Sequence, residues 1–285
     1  MAAEGPDEVL IIDAPAGSSP AAARNEGARR TDAELLVFVD ADVEPHADAF
    51  TLIRAAFADS AGVVGVFGSY DDLPTAPGAV SGFRNLLHHH VHHSSPGPVR
   101  TFWAGLGAVR REAFVAAGGF DADRYRRPSI EDIELGQRLA LEGEIRLDPA
   151  IQGTHLKAWT LTSMVATDLR RRGIPWVVLL LRTGADRSTL NLGWPHRLST
   201  LAAAAGLVAA ARRRPVAATL AFGGLVALNH RFYALLLRRR GPREAALGVG
   251  LHALHLLTGA AAVPAGVVAY LLARDESGRP FDAHK

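Results

Sequence analysis

Three groupings in this 285-residue chain have residue types and spacing that could do chemistry. The first is Asp40-Ala41-Asp42, which directly follows the apolar run Leu35–Val39. Side chains alternate along a strand, so in an extended chain Asp40 and Asp42 point the same way. Paired carboxylates together with substrate phosphates are a common way of holding Mg²⁺ or Mn²⁺. The plainer alternative is a strand that ends in a polar turn, which Asp favours. The second grouping is Glu131-Asp132 at the start of a helical pattern. Acids there either satisfy free backbone N–H groups and the helix dipole, or serve as a general base kept ionised at neutral pH. The third is His155, within Gly153–Trp159, either a packed imidazole or a metal ligand. The run His88-His89-His90, with His92 and His93, invites a metal reading too. Its spacing on one helix supplies only partial coordination, and no acidic residue adjoins it.

These groups need elements to hold them. Leu35–Val39 is short, unbroken and rich in β-branched and aromatic residues, as expected of a buried strand in a parallel sheet. Val9–Ile12 reads the same way and closes on Asp13. A Gly/Pro/Ser loop and an Ala-rich helix over residues 21–30 join the two, so the opening reads as a βαβ unit. A helix is expected over Pro45–Ala58, with Phe50, Ile53, Ala56 and Phe57 on one stripe. Strands follow at Val63–Phe67 and Glu144–Leu147, and helices at Phe83–His93, Arg110–Ala117 and Ser129–Gly143. Ser129 and Asp132 have the spacing of a capping box. In the last of these helices Ile133, Leu135, Leu139 and Leu141 supply the apolar face.

Composition bounds the function classes. Lys and Arg number 31 against 29 Asp and Glu, so bulk charge gives no reason to expect a nucleic-acid partner. There is no cysteine, which excludes disulfides and thiolate metal sites. The start of the chain is polar and acidic, without the apolar core of a secretory signal, so the amino-terminal region is expected on the cytoplasmic side. Mean hydropathy is +0.10, and the excess lies after residue 197. Leu198–Ala211, Val216–Leu228 and Ala245–Ala273 are apolar runs bordered by Arg212–Arg214 and Arg238–Arg240. The third is long enough for a bilayer, which takes about 20 residues as a helix. A multi-pass membrane region of one to three spans is therefore expected, with a bend at Pro264. The boundaries read as 1–190 for the catalytic domain, 191–273 for the hydrophobic region and 274–285 for a polar tail.

The order of motifs resembles the family 2 glycosyltransferases with a GT-A fold. It runs AARNEGA at Ala22–Ala28, DAD after a buried strand, FWAGLGAVRREAF from Phe102, GGFD from Gly118, EDIELGQRL from Glu131 and HLKAWTL from His155. The resemblance implies an α/β, Rossmann-like, mostly parallel sheet that lacks its first strand, followed by an α-helical membrane region. It implies a membrane-attached enzyme that takes a nucleotide-diphosphate sugar, uses Mg²⁺ or Mn²⁺ and transfers with inversion to a lipid or lipid-linked acceptor. By resemblance, Asp40 and Asp42 hold the metal and diphosphate, with His155 as a third metal contact. Asp132 of the Glu131-Asp132 pair is the base, while Asp13 and Arg24 lie near the nucleotide. Trp103 and Gly105 line the acceptor pocket. Pro175 stands where relatives that build polymers carry Arg before Trp176, which argues against processive synthesis. A shortened nucleotide pocket keeps a second reading open, that of a catalytically silent binding or scaffold protein. A transporter is the third, and it has only His252 and His255 to support it.

Overall fold

The structure is a computed structural model, and it describes residues 5–13, 18–58, 60–184 and 193–277. The chain divides into two compact units. One comprises residues 1–75 and 88–157, the other residues 76–87 and 158–285.

The first unit is built on a six-stranded sheet. Its strands are β1 (Leu35–Val39), β2 (Val43–Pro45), β3 (Val63–Tyr70), β4 (Gly97–Val99), β5 (Leu106–Arg110) and β6 (Glu144–His155). They run in the order β1-β5-β3-β6-β2, with β4 also pairing with β6. Only β3 and β6 are parallel; every other pair is antiparallel. The sheet is thus mixed, a correction to the mostly parallel sheet expected. The reason lies in β5, which inserts antiparallel between β1 and β3, and the expected βαβ opening loses its first strand. Val9–Ile12 forms no strand. Val9 and Ile11 are 69% and 87% exposed, and an apolar run becomes a strand only when its backbone groups find a partner.

Both sheet faces are covered, as the unbroken apolar runs require. On one face α2 (Ala49–Ala58) packs Ile53 and Phe57 against Val63, Val66 and Ile151. On the other, Phe38 of β1 meets Phe114 and Phe120 at centroid distances of 5.6 and 5.3 Å. Helices α1 (Pro20–Arg29), α3 (Ala79–His93), α4 (Arg111–Ala116) and α5 (Glu131–Glu142) complete the elements that bear on the site. In α5, Leu135 and Leu139 are fully buried while Leu141 is exposed. At its start the Glu131 side chain reaches back and accepts the Ser129 N–H at 2.8 Å.

Strand β6 is three times the length expected. Pro149 removes a backbone donor, and the register with β3 slips between Leu147 and Gln152. Beyond this bulge the strand resumes, because Ile151, Gly153 and His155 alternate as buried residues and Gly153–His155 pairs with β2. That extension is what delivers His155 to the site.

The second unit is helical: α6 (Leu161–Ala166), a wide π-turn segment (Thr167–Gly173), α7 (Ile174–Thr183), α8 (Trp194–Ala211), α9 (Pro215–Leu228) and α10 (His230–Ser277). Among the described residues one helix stretch, His230–Leu272, is long and apolar enough to cross a membrane. Its backbone breaks at Gly241 (φ 78°, ψ 174°), and Pro264 lies inside the helix beyond the break. Pro242 disfavours the α conformation for its predecessor, and glycine alone enters the positive-φ region without strain.

Candidate active site

Strand β1 ends at Val39, and Asp40-Ala41-Asp42 forms a turn rather than a continued strand. The Val43 N–H closes it on the Asp40 carbonyl at 2.9 Å, and the Asp40 N–H donates to the Gly105 carbonyl at 3.0 Å. Strand alternation therefore does not set the two carboxylates, and they acquire different neighbours. Asp40 accepts from Arg24 Nη2 at 2.6 Å. Asp42 Oδ2 lies 3.3 Å from Lys157 Nζ and 3.9 Å from His155 Nε2. The last distance follows from register, since Val43 pairs directly with His155.

Arg24 projects from α1 and bridges two sequence-distant acids. Its Nη1 reaches Glu131 Oε1 at 3.2 Å while Nη2 holds Asp40. Burial alone would lower the Arg24 pKa. The charge of Asp40, with Asp132 and Glu131 beyond it, outweighs that and holds the guanidinium above its ordinary value. Glu131 is buried and committed to Arg24 and to the Ser129 N–H. Asp132 is half-buried, accepts the Ile133 N–H at 2.8 Å and lies 3.4 Å from the Ala104 N–H. The two adjacent acids thus have separate surroundings, with Asp132 beside the Trp103–Gly105 loop.

That loop is held from beneath and from the side. A Cβ at Gly105 would run into the Trp103 indole, so only glycine lets the ring lie where it does. Tyr70, His88 and His92 pack around the indole at centroid distances of 5.0, 4.7 and 5.6 Å. The histidine run is therefore a packing wall. His92 and His89 donate Nδ1–H to the Gly68 and Tyr70 carbonyls, each at 2.9 Å. Among the described residues no three His, Asp or Glu side chains converge as a ready metal cage.

The structure thus brings Arg24, Asp40, Asp42, Trp103, Gly105, Glu131, Asp132 and His155 into one unit. Asp13 stands apart: it is exposed, and no described hydrogen bond ties it to the others. Sequence reasoning missed Lys157 beside Asp42, missed Tyr70, and read His88 only as part of a metal-like run, not as packing against Trp103. The Lys157 signal was present, as one of two lysines in an arginine-rich chain.

Residues 1–116 match the family model described as glycosyl transferase family 2. No curated protein matches the chain. Among solved structures, it is similar to the mannosyltransferase PcManGT from Pyrobaculum calidifontis in complex with GDP-Man and Mn²⁺. Identity there is 18% and the TM-score 0.47, covering 90% of this chain and 67% of that one. It is also similar to GalNAc-T7 with UDP, GalNAc and Mn²⁺, at 15% identity and a TM-score of 0.41, covering 65% of this chain and 37% of that one.

Proposed function

We propose that this chain, whose residues 1–116 match the family 2 glycosyltransferase model, is a glycosyltransferase of that kind, performing a metal-assisted, inverting transfer of a sugar from a nucleotide-diphosphate donor to a lipid or lipid-linked hydroxyl acceptor. The observation that carries this reading is the Arg24 bridge. It ties the Asp40 turn to Glu131 and so fixes the neighbouring Asp132 relative to the donor side.

The donor set suits a hard divalent cation. Asp40 and Asp42 offer carboxylate oxygens from one turn, and His155 offers an imidazole nitrogen 3.9 Å from Asp42. Mg²⁺ and Mn²⁺ use few protein ligands and complete their shell with phosphate oxygens, so a full protein cage is not required. When bound, such a cation neutralises charge developing on the leaving diphosphate. Lys157 adds a positive charge beside the same carboxylate. Asp132 takes the proton of the acceptor hydroxyl. Glu131, already committed to Arg24 and Ser129, does not serve as a second carboxylate nucleophile, and a single base suits one displacement with inversion.

The lipid acceptor and membrane attachment rest on the second unit. Leu201, Val216, Leu220, Val268 and Leu272 are all exposed there, alongside the long apolar stretch of α10. Apolar side chains at this density on a surface mark contact with lipid or a partner. The test is turnover of radiolabelled UDP- or GDP-sugars by membranes containing the protein, with Mn²⁺ and extracted lipid. Product formation that Asp132→Asn abolishes is the expected result. Full activity of Asp132→Asn overturns the assignment of the base.

A further inference from the structure

Tyr70 closes strand β3, opposite Gly153 of β6. Its ring is stacked by two imidazoles. His155 lies parallel to it, with centroids 4.1 Å apart and planes 8° apart. His88 lies at the same 4.1 Å, tilted by 33°. Two rings that close and that nearly parallel cannot share one face without overlapping, so Tyr70 is sandwiched between them. The column continues from His88 to His92 at 3.9 Å. Trp103 meets Tyr70 edge-on at 5.0 Å. Tyr70, His92 and His155 are all more than nine-tenths buried.

One end of this column is His155, whose Nε2 faces Asp42. The other is Trp103, in the loop beside Asp132. An imidazole turning about its last side-chain torsion would aim its nitrogen elsewhere. A flat ring against its face removes that freedom, as outer groups commonly do for metal-binding histidines.

We propose that Tyr70 is a positioning residue, whose ring holds the His155 imidazole in the orientation that serves a divalent cation at Asp42. This rests on the cation reading given above. The ring acts through shape and stacking, so phenylalanine substitutes for it and an aliphatic side chain does not. Loss of an outer-shell partner typically weakens metal affinity by about 10–100-fold.

The experiment measures Mn²⁺ alone binding to the full chain in detergent. Free Mn²⁺ is followed by electron paramagnetic resonance, with circular dichroism as the check on folding. Wild type, Tyr70→Phe, Tyr70→Leu, Tyr70→Met and Asp42→Ala are compared. Tyr70→Phe is expected to bind within about twofold of wild type, and the aliphatic variants about tenfold or more weakly. Tyr70→Met keeps much of the ring's volume, which preserves the measurement where Tyr70→Leu unfolds. Wild-type affinity in a folded aliphatic variant, with binding lost in Asp42→Ala, overturns the positioning role and leaves the cation site standing. A tenfold loss in Tyr70→Phe assigns the effect to the hydroxyl and also overturns it. Equal binding by wild type and Asp42→Ala removes the cation site itself.

Discussion

Each unit centres one cluster of charges on an arginine, and the two clusters differ in what they leave open. In the sheet unit Arg24 holds Asp40 and Glu131, and the Asp40 side chain keeps 35% of its surface exposed. In the helical unit Arg84 of α3 holds Asp168 of the π-turn segment at 3.0 Å, and the His255 ring donates to the same carboxylate at 2.8 Å. Here the arginine and carboxylate side chains are only 7% and 4% exposed. Trp159 lies 5.1 Å from the guanidinium and closes the arrangement further. The same ion-pair chemistry thus works in two ways. An open carboxylate can exchange its partner for a ligand. A sealed one fixes helices, and breaking it leaves a charge with no water to turn to.

The largest test of this contrast is catalytic. Asp132→Asn is expected to lower kcat by about 10²–10⁴-fold, the usual share of a general base, with the thermal midpoint unchanged. A parallel drop in the midpoint would place Asp132 with the sealed cluster instead. Next comes stability. Asp168→Ala strands Arg84 and should cost about 3–5 kcal/mol, read from chemical denaturation in detergent. Replacing both partners, Arg84→Met with Asp168→Leu, should recover most of that loss, because no charge remains buried. A double variant as unstable as the single one would show that geometry, not charge, holds these helices.

A smaller effect concerns pH. Burial pushes the Asp168 carboxyl up, but the His255 hydrogen bond and the Arg84 charge outweigh it, so its pKa lies below the ordinary 3.8. A lowered folded pKa means the unfolded chain takes up the proton first. The stabilisation is therefore complete above the ordinary value and fades as pH falls through the folded one. The gap in thermal midpoint between wild type and Asp168→Asn should be constant from pH 5 upward and shrink below about pH 4. The smallest signal is chemical accessibility. In a chain with no cysteine of its own, Ala260→Cys in membranes should resist aqueous maleimide while Arg239→Cys labels. Ready labelling at 260 would make α10 a soluble helix.

How much of this was legible depended on whether a pattern was local. The α2 stripe, the β3 run and the α5 periodicity each follow from a few adjacent residues, and each formed. The Asp-Ala-Asp tripeptide was located correctly, but its geometry was misread, because a turn and a strand end look alike until a closing hydrogen bond is known. Val9–Ile12 failed for a related reason: apolarity states a wish for burial and does not name a partner. Strand β6 was expected only over Glu144–Leu147, and pairing with β2 carried it on to His155. Nothing local announced that Arg24 would meet Glu131 across 107 positions, or Arg84 Asp168 across 84. Such pairs are products of the fold, and single-sequence periodicity contains no distance between elements.

One small residue bears on how the enzyme could change over time. Gly136 lies one and a half turns along α5 from Glu131, and a methyl group there would fall on the Thr101–Phe102 backbone. The helix rests directly on the segment that leads to Trp103, so the gap between Asp132 and the Trp103–Gly105 loop is set by the absence of one carbon. Reacting groups displaced by about 1 Å can lose about 10²-fold in rate. Position 136 is therefore an adjustment screw. Substitution there re-spaces Asp132 and the loop without altering either, and a compensating change at Thr101 or Phe102 resets the gap.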